Sequence, residues 1–180
     1  MRTLFGTTFL FSGGFSFFTT LISVYLISKF AYDQGDIGNF FAYIGLWIVI
    51  TQALITRLVS KRLKEYQVLR FSLLGSGSGV LLHLLPTVPW AIFLVTPVLA
   101  IFNGLTMANL SGLISRSADA DIQGEVLGIN VSLQALATAI PPIIAGGLAA
   151  AFGPGTSLVV SGIIIMLAGI YYGACYGGST

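Results

Sequence analysis

The sequence predicts an all-α polytopic membrane protein with six transmembrane helices. Apolar residues make up 56% of the 180 residues and charged residues only 8%, whereas a soluble domain carries about a quarter charged residues. Six apolar segments have the length of about 20 residues that a helix needs to cross a bilayer. Lipid cannot satisfy backbone hydrogen bonds, so these segments are predicted to be helices rather than strands. Because no linker or low-complexity tract divides the chain, residues 1–180 are predicted to form a single domain.

The six predicted helices are separated by short polar or proline- and glycine-containing connections. The first begins after Met1-Arg2-Thr3, and its apolar run continues to about Ile27. The apolar core of a signal peptide is only about 7–15 residues long, so we expect a retained helix rather than a cleaved leader. The predicted helices cover approximately residues 4–28, 37–56, 69–85, 90–115, 124–152 and 155–176.

Hydroxyl side chains mark one face of the first predicted helix. Ser12, Ser16, Thr19 and Ser23 follow one another at helical spacing, which places them on one side of the helix. Such a stripe either lines a substrate cavity or allows close helix packing, with the hydroxyls bonded to their own backbone. Both interpretations stay open, and Ser16 and Thr19 are the candidates for a cavity.

The second predicted helix carries aromatic and amide side chains. Tyr43, Trp47 and Gln52 are residues of the kind that contact a lipophilic substrate. Aromatic residues in a membrane helix also face lipid, so both interpretations stay open. Trp47 and Gln52 are therefore candidate cavity residues.

Basic residues are concentrated in predicted loops on one side of the membrane. With six crossings, the opposite side holds only Lys29, beside Asp33 and Asp36. The positive-inside rule therefore predicts that both termini and the basic loop are cytoplasmic. The basic residues on this side are Arg2, Arg57, Lys61, Arg62, Lys64, Arg70 and Arg116.

Glycine pairs in the third and sixth predicted helices indicate close helix packing. The segments Gly75–Gly79 and Gly169–Gly173 each contain a GxxxG pattern, which lets two helix backbones approach each other. His83, near the outer end of the third helix, is the only histidine. A proton relay is one interpretation, but we expect a structural role for this lone side chain.

Carboxamides in the fourth and fifth predicted helices are candidates for substrate contacts. Asn103 shares a helix face with Thr106, and Asn130, Gln134 and Thr138 recur every four residues. A carboxamide within a membrane is costly unless it meets water, a ligand or another polar group. We therefore predict that Asn103, Asn130 and Gln134 line a cavity, with hydrogen bonding between helices as the alternative for the fifth helix.

Two consecutive prolines interrupt the fifth predicted helix near its outer third. Pro141 and Pro142 each lack a backbone donor, so we expect a bend at this point. The bend either serves as a gate or is a static kink filled by a neighbouring helix.

One stretch of the chain resembles the major facilitator superfamily. The pattern S-R…D-x-Q-G-E-x-x-G over Ser115–Gly128, followed by Pro141-Pro142 and Gly146-Gly147, is similar to the loop between the tenth and eleventh helices of these carriers and to the eleventh helix. Within the superfamily, the stretch resembles the tetracycline/proton antiporter and multidrug-efflux branch. The resemblance implies the C-terminal six-helix half of a twelve-helix carrier, with an inverted three-plus-three repeat.

The resemblance also extends to the loop after the second helix. The residues from Gln52 to Arg62 are similar to a degenerate copy of the superfamily's cytoplasmic loop motif, without its glycine and aspartate. The resemblance implies that Arg57 helps to latch one transport state, and Glu125 is a possible partner. The alternative is that these basic residues only set the topology and contact anionic lipid.

The resemblance implies transport of a small solute across the lipid bilayer by alternating access. We expect an efflux-like secondary transporter, an antiporter, in the bacterial inner (cell) membrane. Half a carrier supplies only one wall of a cavity, so the implied partner is a second six-helix bundle, either a missing N-terminal half or a second copy. The alternatives are a homodimeric six-helix carrier, a non-transporting membrane scaffold and a channel subunit.

Other functional classes lack the residues they need. One histidine and one cysteine, with all six carboxylates in predicted loops or at helix ends, offer no metal or cofactor site. Ser76 and Ser78 lie on the same helix as His83 but too far from it for a nucleophile and its base, so we expect no enzyme. A formal net charge of +2 gives no support for a nucleic-acid partner. A proton-coupling carboxylate is expected to lie outside this chain.

Overall fold

The computed structural model describes residues 1–176, which form a bundle of helices. A π-helical turn, Thr51–Ile55, joins α2 to α3 without a break, so residues 34–60 form one span. The prediction of an all-helical protein with six spans is thereby confirmed. The helices are α1 (Arg2–Phe30), α2 (Gln34–Ile50), α3 (Thr56–Ser60), α4 (Glu65–Leu82), α5 (Ile92–Arg116), α6 (Gln123–Phe152) and α7 (Gly155–Tyr176).

The boundaries of the second and third spans differ from those predicted. The second span ends at Ser60 rather than at about residue 56, and α4 begins at Glu65 rather than at about residue 69. At the start of α4, the Gln67 Oε1 atom accepts a hydrogen bond of 3.3 Å from the Lys64 backbone N–H. Helical hydrogen bonding thus continues beyond the apolar run into residues that water can solvate, which hydropathy alone does not reveal.

Five helical stretches within residues 1–176 are long and apolar enough to cross a membrane, and α4 is not among them. The 18 residues of α4 include Glu65, Arg70 and several serines and glycines, which lower its mean hydropathy. Because α4 packs along both α5 and α7, much of its surface faces protein rather than lipid. This shielding accounts for a sixth span that is less apolar than the others.

The pattern of helix packing has an internal symmetry. α1 packs against α6 and α7, α5 packs against α2 and α4, and α4 packs against α7. If the first three spans (α1, α2–α3 and α4) are matched in order to the last three (α5, α6 and α7), the contact of α1 with α7 corresponds to that of α5 with α4. The contact of α1 with α6 corresponds in the same way to that of α5 with α2. The α4–α7 contact maps onto itself. This arrangement is the one expected of an inverted three-plus-three repeat.

Glycines allow α4 to approach its neighbours at backbone distance. A Cβ atom added at Gly79 would lie 2.8 Å from the Leu99 Cα atom of α5. One added at Gly77 would lie 2.9 Å from the Gly162 carbonyl oxygen of α7. Close packing through the glycines of the third span, predicted from Gly75–Gly79, is thereby confirmed.

The end of the bundle at which α4 ends is held by a hydrogen-bonded cluster. His83 is fully buried, and its Nδ1 atom lies 2.8 Å from the Gly79 carbonyl oxygen. The Tyr25 hydroxyl of α1 donates to the His83 carbonyl oxygen at 3.1 Å, and the Lys29 ammonium donates to the Leu84 carbonyl oxygen at 2.9 Å. These bonds satisfy carbonyls at the end of α4, consistent with a structural role for His83.

We predict that Gly79→Ala destabilises the bundle by about 1–3 kcal/mol, because the added methyl group meets backbone atoms of α5 that cannot move aside. Thermal unfolding in detergent, followed by circular dichroism, measures the change. Gly45→Ala on α2 is the matched control, since nothing lies within 4 Å of its added Cβ. Equal melting temperatures for the two variants would contradict close approach at Gly79.

Candidate functional site

A cleft of about 480 Å³ opens between α1, α5 and α6. We call it the central cleft. Its lining combines hydroxyl, carboxamide, aromatic and aliphatic side chains and contains no charged residue. The lining residues are Phe11, Ser12, Phe15, Ser16, Thr19, Met107, Val131, Gln134, Ala135 and Thr138.

The α1 side of the central cleft presents part of the hydroxyl stripe predicted from sequence. Ser16 is 7% exposed, and its hydroxyl donates to the Thr138 carbonyl oxygen of α6 at 3.1 Å. The Thr19 hydroxyl donates to the Ser16 carbonyl oxygen at 3.2 Å. This part of the stripe therefore lines a cleft and also joins two helices, and its role in substrate contact stays a prediction.

The α6 side of the central cleft supplies one carboxamide group, and a second lies buried nearby on the same helix. Gln134 is half-buried and lines the cleft, and its side chain has no hydrogen-bond partner within residues 1–176. Asn130, one turn earlier on α6, is 4% exposed, and its Oδ1 atom has no partner in the same part of the chain. An unpartnered carboxamide in an apolar environment is costly, so Gln134, which lines the cleft, is suited to bind a polar ligand or water.

Comparison with known protein families identifies the fold. The model of the Major Facilitator Superfamily matches residues 4–177. The chain belongs to the Major Facilitator Superfamily. The resemblance inferred from the Ser115–Gly128 pattern is thereby confirmed, and membership agrees with an integral membrane protein.

Individual relatives of this superfamily member include bacterial and mammalian proteins. The class D tetracycline resistance protein of Salmonella ordonez is 30% identical over 117 residues, which are 65% of this chain and 29% of that protein. The class G protein of Vibrio anguillarum is 28% identical over 120 residues, 67% of this chain and 30% of that protein. The Hippocampus abundant transcript 1 protein of Mus musculus is 25% identical over 132 residues, 68% of this chain and 25% of that protein. The match thus covers less than a third of each relative.

Four predicted cavity residues of this superfamily member do not line the central cleft: Trp47, Gln52, Asn103 and Asn130. Trp47 packs against Tyr43, with ring centroids 6.3 Å apart, and Gln52 is exposed on the π-helical turn. Asn103 is only 1% exposed, and both polar atoms of its side chain have no partner within residues 1–176. The lining residues Phe11, Phe15 and Met107 were missed, because apolar side chains carry no signal that separates a cleft from a core.

The predicted gating residues lie outside the central cleft. Arg57 and Glu125 are both exposed, and no ion pair joins them in the described part of the chain. Within residues 1–176, an ion pair instead links the Arg116 Nη1 atom to the Glu65 Oε1 atom at 2.9 Å. A latch between Arg57 and Glu125 therefore stays a prediction for another conformation.

The two prolines do not interrupt α6. The helix runs from Gln123 to Phe152 with Pro141 and Pro142 inside it. Pro141 is buried and contributes to a smaller apolar cleft of about 170 Å³ between α1, α6 and α7, whereas Pro142 is exposed. A gating movement at this pair stays a prediction.

The acidic and basic side chains of the described residues lie in loops or near the ends of the spans. Tyr32 follows α1, and burial together with the Asp36 carboxylate raises its pKa. The neutral hydroxyl donates to the Pro89 carbonyl oxygen at 2.8 Å and ties the loop after α1 to the loop before α5. Within the described residues, no group of three or more histidine, cysteine, aspartate or glutamate side chains is placed to hold a metal ion.

We predict that Asn103→Leu stabilises the bundle by about 1–3 kcal/mol, because it removes a buried amide that has no hydrogen-bond partner. Unfolding in detergent measures the change. Asn109→Leu is the matched control and is expected to gain less, since the Asn109 Nδ2 atom already donates to the Leu105 carbonyl oxygen at 2.7 Å. A loss of stability in Asn103→Leu would show that the amide is satisfied.

Proposed function

We propose that this chain forms half of a secondary transporter that moves a small solute by alternating access. The observation that carries the proposal is the central cleft, where Gln134 offers an unpaired carboxamide between helices of both halves of the inverted repeat. Superfamily membership and the spans that suit a bilayer support transport rather than catalysis.

The chemistry of the central cleft favours an uncharged or weakly polar solute. Its lining has no charged side chain, and Phe11, Phe15 and Met107 provide apolar and polarisable contact surface. Ser16, Thr19 and Gln134 provide a small number of hydrogen-bonding groups, the usual composition of a small-molecule pocket. Two relatives are named as tetracycline resistance proteins, so we propose an efflux-type substrate of drug size.

A second six-helix bundle completes the proposed transporter. The central cleft is open rather than enclosed, and α2 and α6 are the least buried of the long spans. The match with the class D relative covers only 29% of that protein, which leaves length for a second bundle. A second copy of this chain is the alternative partner.

The proposed orientation places both termini and the residues from Lys61 to Lys64 in the cytoplasm of a bacterial cell. The six carboxylates lie in loops or in the first turn of a helix, so the proposed proton-coupling group belongs to the second bundle. In this scheme Arg57, Glu125 and the Pro141-Pro142 pair take part in gating.

We predict that Gln134→Leu lowers solute export about three- to tenfold, because the solute loses one hydrogen bond and the free energy of one hydrogen bond corresponds to a factor of this size. Cells that express the complete reading frame are loaded with tetracycline, and its fluorescence reports export. Gln34→Leu is the matched control, because Gln34 lies at the exposed start of α2, outside the cleft. Full export by the double variant Asn130→Leu/Gln134→Leu would overturn the proposal and favour a scaffold.

Purified chain in liposomes separates the remaining alternatives. Tetracycline uptake by this chain alone would identify a second copy as the partner. Ionic current at rates far above carrier turnover would identify a channel. We expect neither, because the proposal assigns the second wall of the cavity to a different bundle.

We predict that Lys61→Cys is labelled only from the cytoplasm and Asp33→Cys only from outside, as the positive-inside rule requires. A membrane-impermeant maleimide is added to intact cells and to inverted vesicles. Both variants carry Cys175→Ser, since the native cysteine is exposed and would react. Labelling of both positions from one side would disprove the proposed topology.

A further inference from the structure

A second cleft, of about 520 Å³, lies where the second and third spans meet and beside the end of α5. We propose that this basic cleft binds the headgroup of an anionic phospholipid, with an acyl chain on an adjacent apolar groove. The inference is independent of the transported solute. The basic cleft is lined by Lys61, Arg62, Leu63, Lys64, Glu65, Tyr66, Leu113 and Arg116.

The charge of the basic cleft favours a phosphate group. Four cationic side chains and one carboxylate line it, which leaves a net charge of +3. The carboxylate, Glu65, is already paired with Arg116 at 2.9 Å, and Arg116 remains 75% exposed. A guanidinium held in this way keeps other N–H groups free for phosphate oxygens. The first turn of α4 adds the positive end of an 18-residue helix.

An apolar groove adjoins the basic cleft and indicates a lipid rather than a free anion. The groove encloses about 600 Å³ and shares Lys61, Arg62 and Leu63 with the cleft. Its other lining residues are Leu58 and Val59, and the side chains of Leu58 and Leu63 are 64% and 45% exposed. Inorganic phosphate or a nucleotide has no part that fits leucine side chains, whereas a phospholipid has an anionic head joined to an apolar chain.

The position of the two surfaces fits the boundary between lipid and water. α3 ends at Ser60 and α4 begins at Glu65, so the residues between them turn the chain from one span into the next. Lysine and arginine side chains at such a boundary extend their charged groups toward headgroups while their stems contact apolar surface. A bound headgroup would contact both this turn and Arg116 of α5, and so link two helices through their ends.

The test is lipid retention by the full chain in neutral detergent, measured by native mass spectrometry with phosphatidylglycerol and phosphatidylcholine of equal chain length. We expect phosphatidylglycerol to be retained preferentially and to raise the melting temperature. Each lost cation is expected to weaken this preference about fivefold, so Arg62→Gln/Lys64→Gln should nearly abolish it. Both side chains are exposed, and neither forms the Glu65 ion pair, so the variant is expected to fold.

Two controls separate lipid binding from other interactions. Arg2→Gln removes a cation that does not line the basic cleft and should leave the preference unchanged. Millimolar inorganic phosphate should not displace phosphatidylglycerol, because it cannot occupy the groove at Leu58. Equal retention of the two lipids, equal effects of the two sets of substitutions, or full displacement by inorganic phosphate would each overturn the proposal.

Discussion

Close backbone contact between α4 and its two neighbours sets the positions of the other helices. Gly77 packs closely against the Gly162 carbonyl group of α7, and Gly79 packs closely against the Leu99 backbone of α5. Lipid tails are as apolar as leucine, so helices in a membrane gain little from burying apolar surface against each other. Attraction comes instead from dense packing, which small residues make possible. α5 and α7, positioned in this way, in turn hold α2 and α1.

Polar groups inside this bundle fall into two classes with different consequences. Several hydroxyls donate to a carbonyl of their own helix, as Thr51 does to Trp47 at 2.7 Å, and so cost little in lipid. Carboxamides have more hydrogen-bonding atoms than one carbonyl can satisfy. Gln134 therefore retains an unpaired carboxamide at the central cleft, whereas Asn130 retains an unpaired oxygen in the interior of the bundle.

The central cleft and the basic cleft are chemically distinct and lie in different parts of the spans. The first is uncharged and lies between helices, while the second carries a net charge of +3 beside the turn from α3 to α4. Separation of charge from the central cleft is expected in a membrane, because charged groups are stable at the interface and costly in the interior. A lipid at Arg116 and a solute at Gln134 would therefore be recognised by different physical interactions.

The sequence by itself determined the number and order of the spans, because a bilayer requires a minimum apolar length that is visible along one dimension. It also identified the close-packing glycines and the absence of buried acids. Only the tertiary structure decided that Gln134 faces a cleft while Asn103 lies in the interior, since the neighbours of a helix set its rotation about its own axis. The Glu65–Arg116 pair depends likewise on the contact of α4 with α5, because residues far apart in sequence become neighbours only when the helices pack.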